Sequence, residues 1–262
     1  MIGFIGGGNM AEAMIKGMIQ NNMKDIIVSE PRVERRVYLE KNYNVLTTND
    51  NISLVNKCNI IIIAVKPQNM DEVTSEIVEY ITPEKFIISI AAGITLSYLT
   101  SKLKTSKIIR VMPNTPALVQ EGMSVLSLCE CFPDNEMTFI RGIFMSIGKV
   151  MVLPEKYMDA VTALSGSGPG FLAFIIEKMI EASVKAGLGK DAATELAIQT
   201  FIGTAKLLET GMPPSKLREM VTSPGGTTAA GLKVFEEKGL QNLIDSVILA
   251  AVERSRELGR KE

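Results

Sequence analysis

The sequence contains no histidine. The side chain most often used to move protons near neutral pH is therefore missing. Any chemistry must rest on hydroxyls, carboxylates, lysine, backbone amides or an easily protonated substrate. Cysteine is scarce, with only Cys58, Cys129 and Cys131. An odd number without framework spacing predicts reduced thiols in a cytosolic protein. Cys129-Glu-Cys131 resembles half a metal site, but there is no histidine and no second cysteine pair. Tetrahedral zinc is not expected, and these are read as buried or strand-end thiols with no metal. Excess charge of one sign is absent as well: the net charge is −1 with both signs interspersed. That excludes the basic patch a nucleic-acid partner would require. The most apolar helical run, residues 171–176, leads directly into Glu177 and Lys178. It falls short of the ~20 residues that span a bilayer, so no membrane partner is expected. A strand expected from Ile2 leaves no targeting segment ahead of it, and the chain is predicted to be soluble and cytoplasmic.

What is present is enough for a large core. Of the 262 residues 46% are hydrophobic and 22% charged, which places the chain among globular rather than disordered proteins. Short β-branched runs at 2–6, 25–30, 44–47, 59–65, 86–91, 107–112, 123–128 and 149–153 predict strands. The run Ile60-Ile61-Ile62-Ile63 has the unbroken apolarity of a strand covered on both faces. Amphipathic stretches such as 10–20 and 70–81 lie between strands, and this alternation predicts an α/β, Rossmann-like, doubly wound and mostly parallel sheet. From about Asp159 the pattern becomes helical, over 169–186, 190–209, 214–221, 227–237 and 240–258. We therefore expect a nucleotide-binding domain over 1–154 and an all-α domain over 155–262. Several of these helices are apolar on more than one face, which predicts packing against a second subunit. A monomer whose helices cover the sheet is the alternative.

Three motifs carry chemistry. Gly6-Gly7-Gly8-Asn9-Met10-Ala11 is a G-x-G-x-x-A turn between an apolar strand and a helix. Gly6 permits the turn, Gly8 lets the backbone approach a pyrophosphate, and Ala11 allows close packing of helix and strand. Glu30 ends the second strand, where an acidic side chain binds the ribose hydroxyls of NAD and repels the extra phosphate of NADP. Arg32, Arg35 and Arg36 follow, either to clamp that phosphate or to form a solvated helix face. Either NADH or NADPH is thus expected as cofactor, with a lean to NADH from Glu30. Ala64-Val65-Lys66-Pro67 and Ala91-Ala92 end two further strands and leave room for the cofactor; Lys66 either approaches the phosphates or is an ordinary exposed lysine. The third motif is a pair of turns, 164–169 and 222–228, rich in glycine and hydroxyls. Their amides suit an anion such as a carboxylate, and their hydroxyls either cap helices or bind substrate.

Taken together, IGFIGGGNMAEAMIKG, AVKP, AAGI, RVMPNTPALVQEGM, ALSGSGPGF and VTSPGGTTAAGL resemble pyrroline-5-carboxylate reductases over essentially the whole chain. The resemblance implies a helical domain that interlocks with a second subunit into a dimer, which in some members assembles further. It implies reduction of L-Δ1-pyrroline-5-carboxylate to L-proline, the last step of proline biosynthesis, with NADPH or NADH. The family's cofactor contacts fall on Gly6, Gly7, Gly8, Asn9, Met10, Ala11, Glu30, Arg32, Asn51, Ala64, Val65, Lys66, Pro67, Ala91 and Ala92. Its substrate contacts fall on Glu155, Ser223, Gly225, Gly226, Thr227 and Thr228, with Thr228 at the ring nitrogen. Met220 stands where some relatives carry a polar cofactor contact and is left out of the site. Another imine reductase or a 3-hydroxyacid dehydrogenase on the same two-domain plan is the alternative.

Overall fold

The computed structural model describes residues 1–103, 105, 107–129 and 137–260. The chain alternates β1 (Ile2–Ile5), α1 (Asn9–Gln20), β2 (Ile26–Ser29), α2 (Val33–Tyr43), β3 (Leu46–Thr48), α3 (Asn51–Lys57), β4 (Ile60–Ile63), α4 (Met70–Ile77), β5 (Phe86–Ser89), α5 (Leu96–Leu103) and β6 (Ile108–Met112). It continues with β7 (Gly122–Leu128), α6 (Met137–Met145), β8 (Gly148–Val152) and the short α7 (Met158–Val161). The remaining helices are α8 (Gly168–Lys185), α9 (Lys190–Glu209), α10 (Pro214–Met220), α11 (Thr227–Glu237) and α12 (Leu240–Arg260). Helix α4 is shorter than its 70–81 pattern because the chain tightens into a 3-10 turn at Val78–Tyr80.

Among the described residues, eight strands form one sheet in the order β3-β2-β1-β4-β5-β6-β7-β8. All neighbours are parallel except β6 and β7. Only a 3-10 turn, Thr115–Val119, joins those two. So short a connection cannot carry a crossover helix, and β7 must run back along β6. In β4 the side chains alternate between two cores. Ile60 and Ile62 face one with Met14, Met18 and Phe144, whereas Ile61 and Ile63 face the other with Leu54, Met70 and Leu99. This double cover explains the unbroken isoleucine run. Cys58 is buried in the second core and burial pushes its thiol up to about 11, so it is held protonated and inert. Cys129 lies just past β7 and is half-buried, and Cys131 lies outside the described residues.

By packing, the chain divides into Met1–Pro169 with Ala250–Glu262, and Gly170–Leu249. Residues 155–169 and the C-terminal end of α12 therefore group with the sheet. Gly93 and Gly259 pack closely, and Ser255 Oγ donates to Asp159 Oδ1 at 2.7 Å. The second unit is all helix and leaves large apolar side chains exposed in the single chain, among them Leu172, Phe174, Leu196, Leu243 and Leu249. Contrary to what their sequence suggests, residues 171–176 do not end short of a membrane-spanning length. They belong to a continuous helical stretch, Glu155–Lys185, that is long and apolar enough to cross a membrane by length and composition. Counting from the charged pair at 177–178 alone underestimates it.

Candidate active site

The first unit holds the glycine loop at the C-terminal ends of the parallel strands. Gly6 has a φ of +99°, and a Cβ there would fall 2.8 Å from the Ala64 carbonyl oxygen. Only glycine lets β1 turn so tightly against β4. A Cβ on Gly8 would meet nothing within 4 Å, so the loop presents bare backbone to open space. Ala11 is fully buried beneath it. A cleft of about 730 Å³ runs past Gly6, Gly7 and Gly8, and takes in Glu30, Arg32, Asn51, Ala64, Val65 and Lys66. A second cavity of about 370 Å³ shares Gly8, Ala64, Val65 and Lys66 and adds Asn9, Met10 and Ile90. Bare amides at the start of α1, the dipole end of that helix and an acidic residue at the end of β2 fit a dinucleotide.

Glu30 is buried and well tied. Its Oε2 accepts the Gly7 N–H at 3.0 Å, and its Oε1 accepts the Arg32 N–H at 3.1 Å and Arg32 Nε at 2.7 Å. Burial alone pushes this carboxyl up, but these hydrogen bonds and the Arg32 charge outweigh it and hold the group below the ordinary glutamate range. The three arginines divide. Arg32 is 63% exposed at the rim of the cleft that Asn51 also lines. Arg35 and Arg36 turn inward and donate to main-chain carbonyls, Arg36 to those of Glu30 and Pro31. Neither forms a solvated helix face.

Other expected contacts fall differently. Asn51 opens α3, lines the cleft and donates to Glu76 Oε2 at 2.7 Å. Lys66 is exposed, and Pro67 begins a 3-10 turn. Ala91 is buried in the core under α5 and Ala92 follows it half-buried; Ile90 faces the cavity instead. Glu155 accepts the Leu96 N–H at 2.7 Å and Arg110 at 3.0 Å, so it caps α5 and pairs with a buried arginine.

The second cavity is also lined by Met112, Pro113, Asn114, Thr115 and Gly166, none of them among the expected contacts. Asn114 accepts the Met123 N–H at 2.8 Å and donates to Ser165 Oγ at 3.2 Å. Ser165 thus meets a distant side chain instead of capping a helix, within a π-helical turn, Thr162–Gly166. The signal available in sequence is position: Pro113 and Asn114 follow the end of β6, where ligands gather in open parallel sheets.

In the second unit, Ser223, Gly225, Gly226, Thr227 and Thr228 form one turn into α11. Gly225 has a φ of +69°, and Gly226 occupies the N-cap with no side-chain hydrogen bond. The Gly226 N–H is committed to the Ser223 carbonyl at 3.0 Å. The open donors are therefore those of the first helical turn, beginning with Thr227 and Thr228. Thr227 is exposed and Thr228 half-buried. Met220 is 63% exposed at the end of α10.

A family model described as pyrroline-5-carboxylate reductase dimerisation matches residues 155–258, and one described as NADP oxidoreductase, coenzyme F420-dependent, matches residues 1–93. The chain is 40% identical over 264 residues to the pyrroline-5-carboxylate reductase of Synechocystis sp., covering 99% of this chain and 98% of that one. The solved pyrroline-5-carboxylate reductase of Coxiella burnetii aligns with a TM-score of 0.91 at 34% identity, covering 98% of this chain and 97% of that one. The pyrroline carboxylate reductase of Plasmodium falciparum, solved with NADP bound, aligns with a TM-score of 0.88 at 31% identity, covering 98% and 97% of the two chains.

Proposed function

The chain belongs to the pyrroline-5-carboxylate reductase family, and from that premise we propose that it reduces L-Δ1-pyrroline-5-carboxylate to L-proline. This is the last step of proline biosynthesis. A nicotinamide dinucleotide, when bound, supplies the hydride for the imine carbon. The observation that carries the reading is the turn at 222–228. There a glycine N-cap leaves the first amides of α11 and two threonine hydroxyls without a capping duty. In a chain with no histidine, this is the chemistry available to hold a small cyclic imino acid.

The residues divide the work as follows. The loop Gly6–Met10 and Lys66 receive the pyrophosphate, and Glu30 and Asn51 the ribose end. The amides of Thr227 and Thr228, with Gly225 and Ser223, hold the substrate carboxylate, and the Thr228 hydroxyl orients the ring nitrogen. The imine is basic enough to take its proton from a hydroxyl or water. Orientation and exclusion of solvent supply most of the acceleration, up to ~7–11 kcal/mol in favourable cases. Glu155 fixes the start of α5 and pairs with Arg110. We assign 1–154 to cofactor binding and 155–262 to substrate binding and dimerisation. The exposed apolar faces of α8, α9 and α12 become the interface of a cytoplasmic homodimer rather than a membrane contact.

Glu30 favours NADH. A buried carboxylate at the end of β2 is suited to ribose hydroxyls and repels a 2′-phosphate, while the exposed Arg32 tempers that repulsion. Steady-state kinetics with pyrroline-5-carboxylate and each cofactor in turn test the proposal, hydroxyacids serving as controls. Turnover of a hydroxyacid but not of the imine overturns the reaction assigned. A clear preference for NADPH overturns the reading of Glu30.

A further inference from the structure

Outside the lining of the cleft, Arg35 crosses from α2 to the backbone of the glycine loop. Its Nε donates to the Gly7 carbonyl at 2.6 Å and its Nη2 to the Gly8 carbonyl at 3.3 Å. The same guanidinium pairs with Glu12, the acidic residue in the first turn of α1, and lies 5.0 Å from the centre of the Tyr38 ring. Glu12 is itself held by Tyr43 at 2.6 Å and Tyr38 at 2.9 Å. Arg35 and Glu12 keep only 18% and 17% of their side-chain surface exposed. Neither is among the residues that line the cleft around Glu30 and Arg32.

Each peptide unit is planar, with its C=O and N–H pointing in opposite directions. Holding the carbonyls of Gly7 and Gly8 therefore directs the amides of Gly8 and Asn9 away from the guanidinium, in a stretch of loop that lines the second cavity. The Gly8 carbonyl also accepts the Glu12 N–H of α1 at 2.9 Å, so Arg35 adds to the helix's own hold there and acts more strongly on Gly7, a glycine with much conformational freedom to lose on ordering. A planar fork with fixed donors can hold two carbonyls together, which an ammonium cannot do with the same geometry.

We propose that Arg35, locked by Glu12, is a positioning residue that preorganises the phosphate-binding amides of the glycine loop. The proposal rests on the reading of the cleft as a dinucleotide site. It also separates Arg35 from a 2′-phosphate clamp, because a residue acting on the pyrophosphate loop serves NADH and NADPH alike.

The test is equilibrium binding of NADH and of NADPH, followed by nicotinamide fluorescence without substrate, together with steady-state kinetics. Arg35→Met is expected to raise both dissociation constants together, by about tenfold, the scale on which a lost supporting contact misaligns a preorganised site. At saturating cofactor kcat stays within about twofold, and Arg35→Lys recovers part of the binding. Unchanged affinity in a folded Arg35→Met overturns the proposal, and so does a loss confined to NADPH, which would mean direct phosphate contact. If Arg35→Met does not fold, Glu12→Gln decides: a rise of about two- to threefold for both cofactors supports the role, and no change overturns it. If the unaltered protein binds neither dinucleotide, the reading of the cleft fails and this inference fails with it.

Discussion

Ile60–Ile63 in β4 and the run at 171–176 in α8 are comparably apolar in sequence but have opposite fates in the folded chain. The first is buried between two layers of helices, Ile61, Ile62 and Ile63 being fully inaccessible. In the second, Leu172 remains 51% and Phe174 61% exposed. A central parallel strand finds cover from its own crossover helices, which the chain brings back over both faces. An all-helical unit of this size has no such layer, and its apolar faces require another molecule. One unit closes its own core, and the other is built to share one.

The largest effect is expected in the sheet core. Phe144→Ala, at a fully buried site, should cost about 3–5 kcal/mol in urea unfolding at fixed protein concentration and leave subunit association intact. Phe174→Glu should do the reverse: the isolated fold survives, while the dimer weakens by at least about 2 kcal/mol, seen by light scattering as a shift to monomer. A dimer of unaltered strength would remove α8 from the interface.

A smaller effect is expected at the turn into α11. Thr228→Ala should lower kcat/KM about ten- to a hundredfold, or roughly 1.4–2.8 kcal/mol, with cofactor affinity unchanged. Equal kinetics would take Thr228 out of the mechanism. The smallest effect is confined to the first unit and to acid. Burial pushes Glu12 up, but hydrogen bonds from Tyr43, Arg35 and Tyr38 and the Arg35 charge outweigh it and leave the carboxyl below its ordinary value of 4.5. With the folded value depressed, the unfolded chain binds more protons in that range. The stabilisation is therefore present above 4.5 and is lost as pH falls through the folded value. Glu12→Gln should flatten this acid limb, and a limb as steep as in the parent would exclude Glu12 from it.

Much of the molecule is legible in the order of its residues. The strands can be read from β-branched runs: in β1, β2 and β4 burial on both faces writes itself as unbroken apolarity, whereas the exposed β3 and β8 carry a weaker signal. The glycine loop and the turn at 222–228 are legible because only glycine tolerates their geometry, so the residue type reports the backbone. Helix lengths are less so: nothing local marks where α4 tightens at Val78, and the charged pair at 177–178 hides the true length of the helix through α8.

What the sequence determined by itself is the order of elements, the two glycine-rich turns and the absence of imidazole chemistry, since each depends on neighbouring residues alone. The tertiary structure decided the rest. It reversed β7, sent Arg35 inward to the loop carbonyls and left Arg32 at the rim. It also spent the Gly226 amide on Ser223, joined Asn114 to Ser165 and placed Ile90 rather than Ala91 at the cavity. In most of these the partner is distant in sequence, and in all of them backbone geometry settles which groups meet. A side chain's function is set by the hydrogen bonds still open to it, and that is known only once the chain has folded.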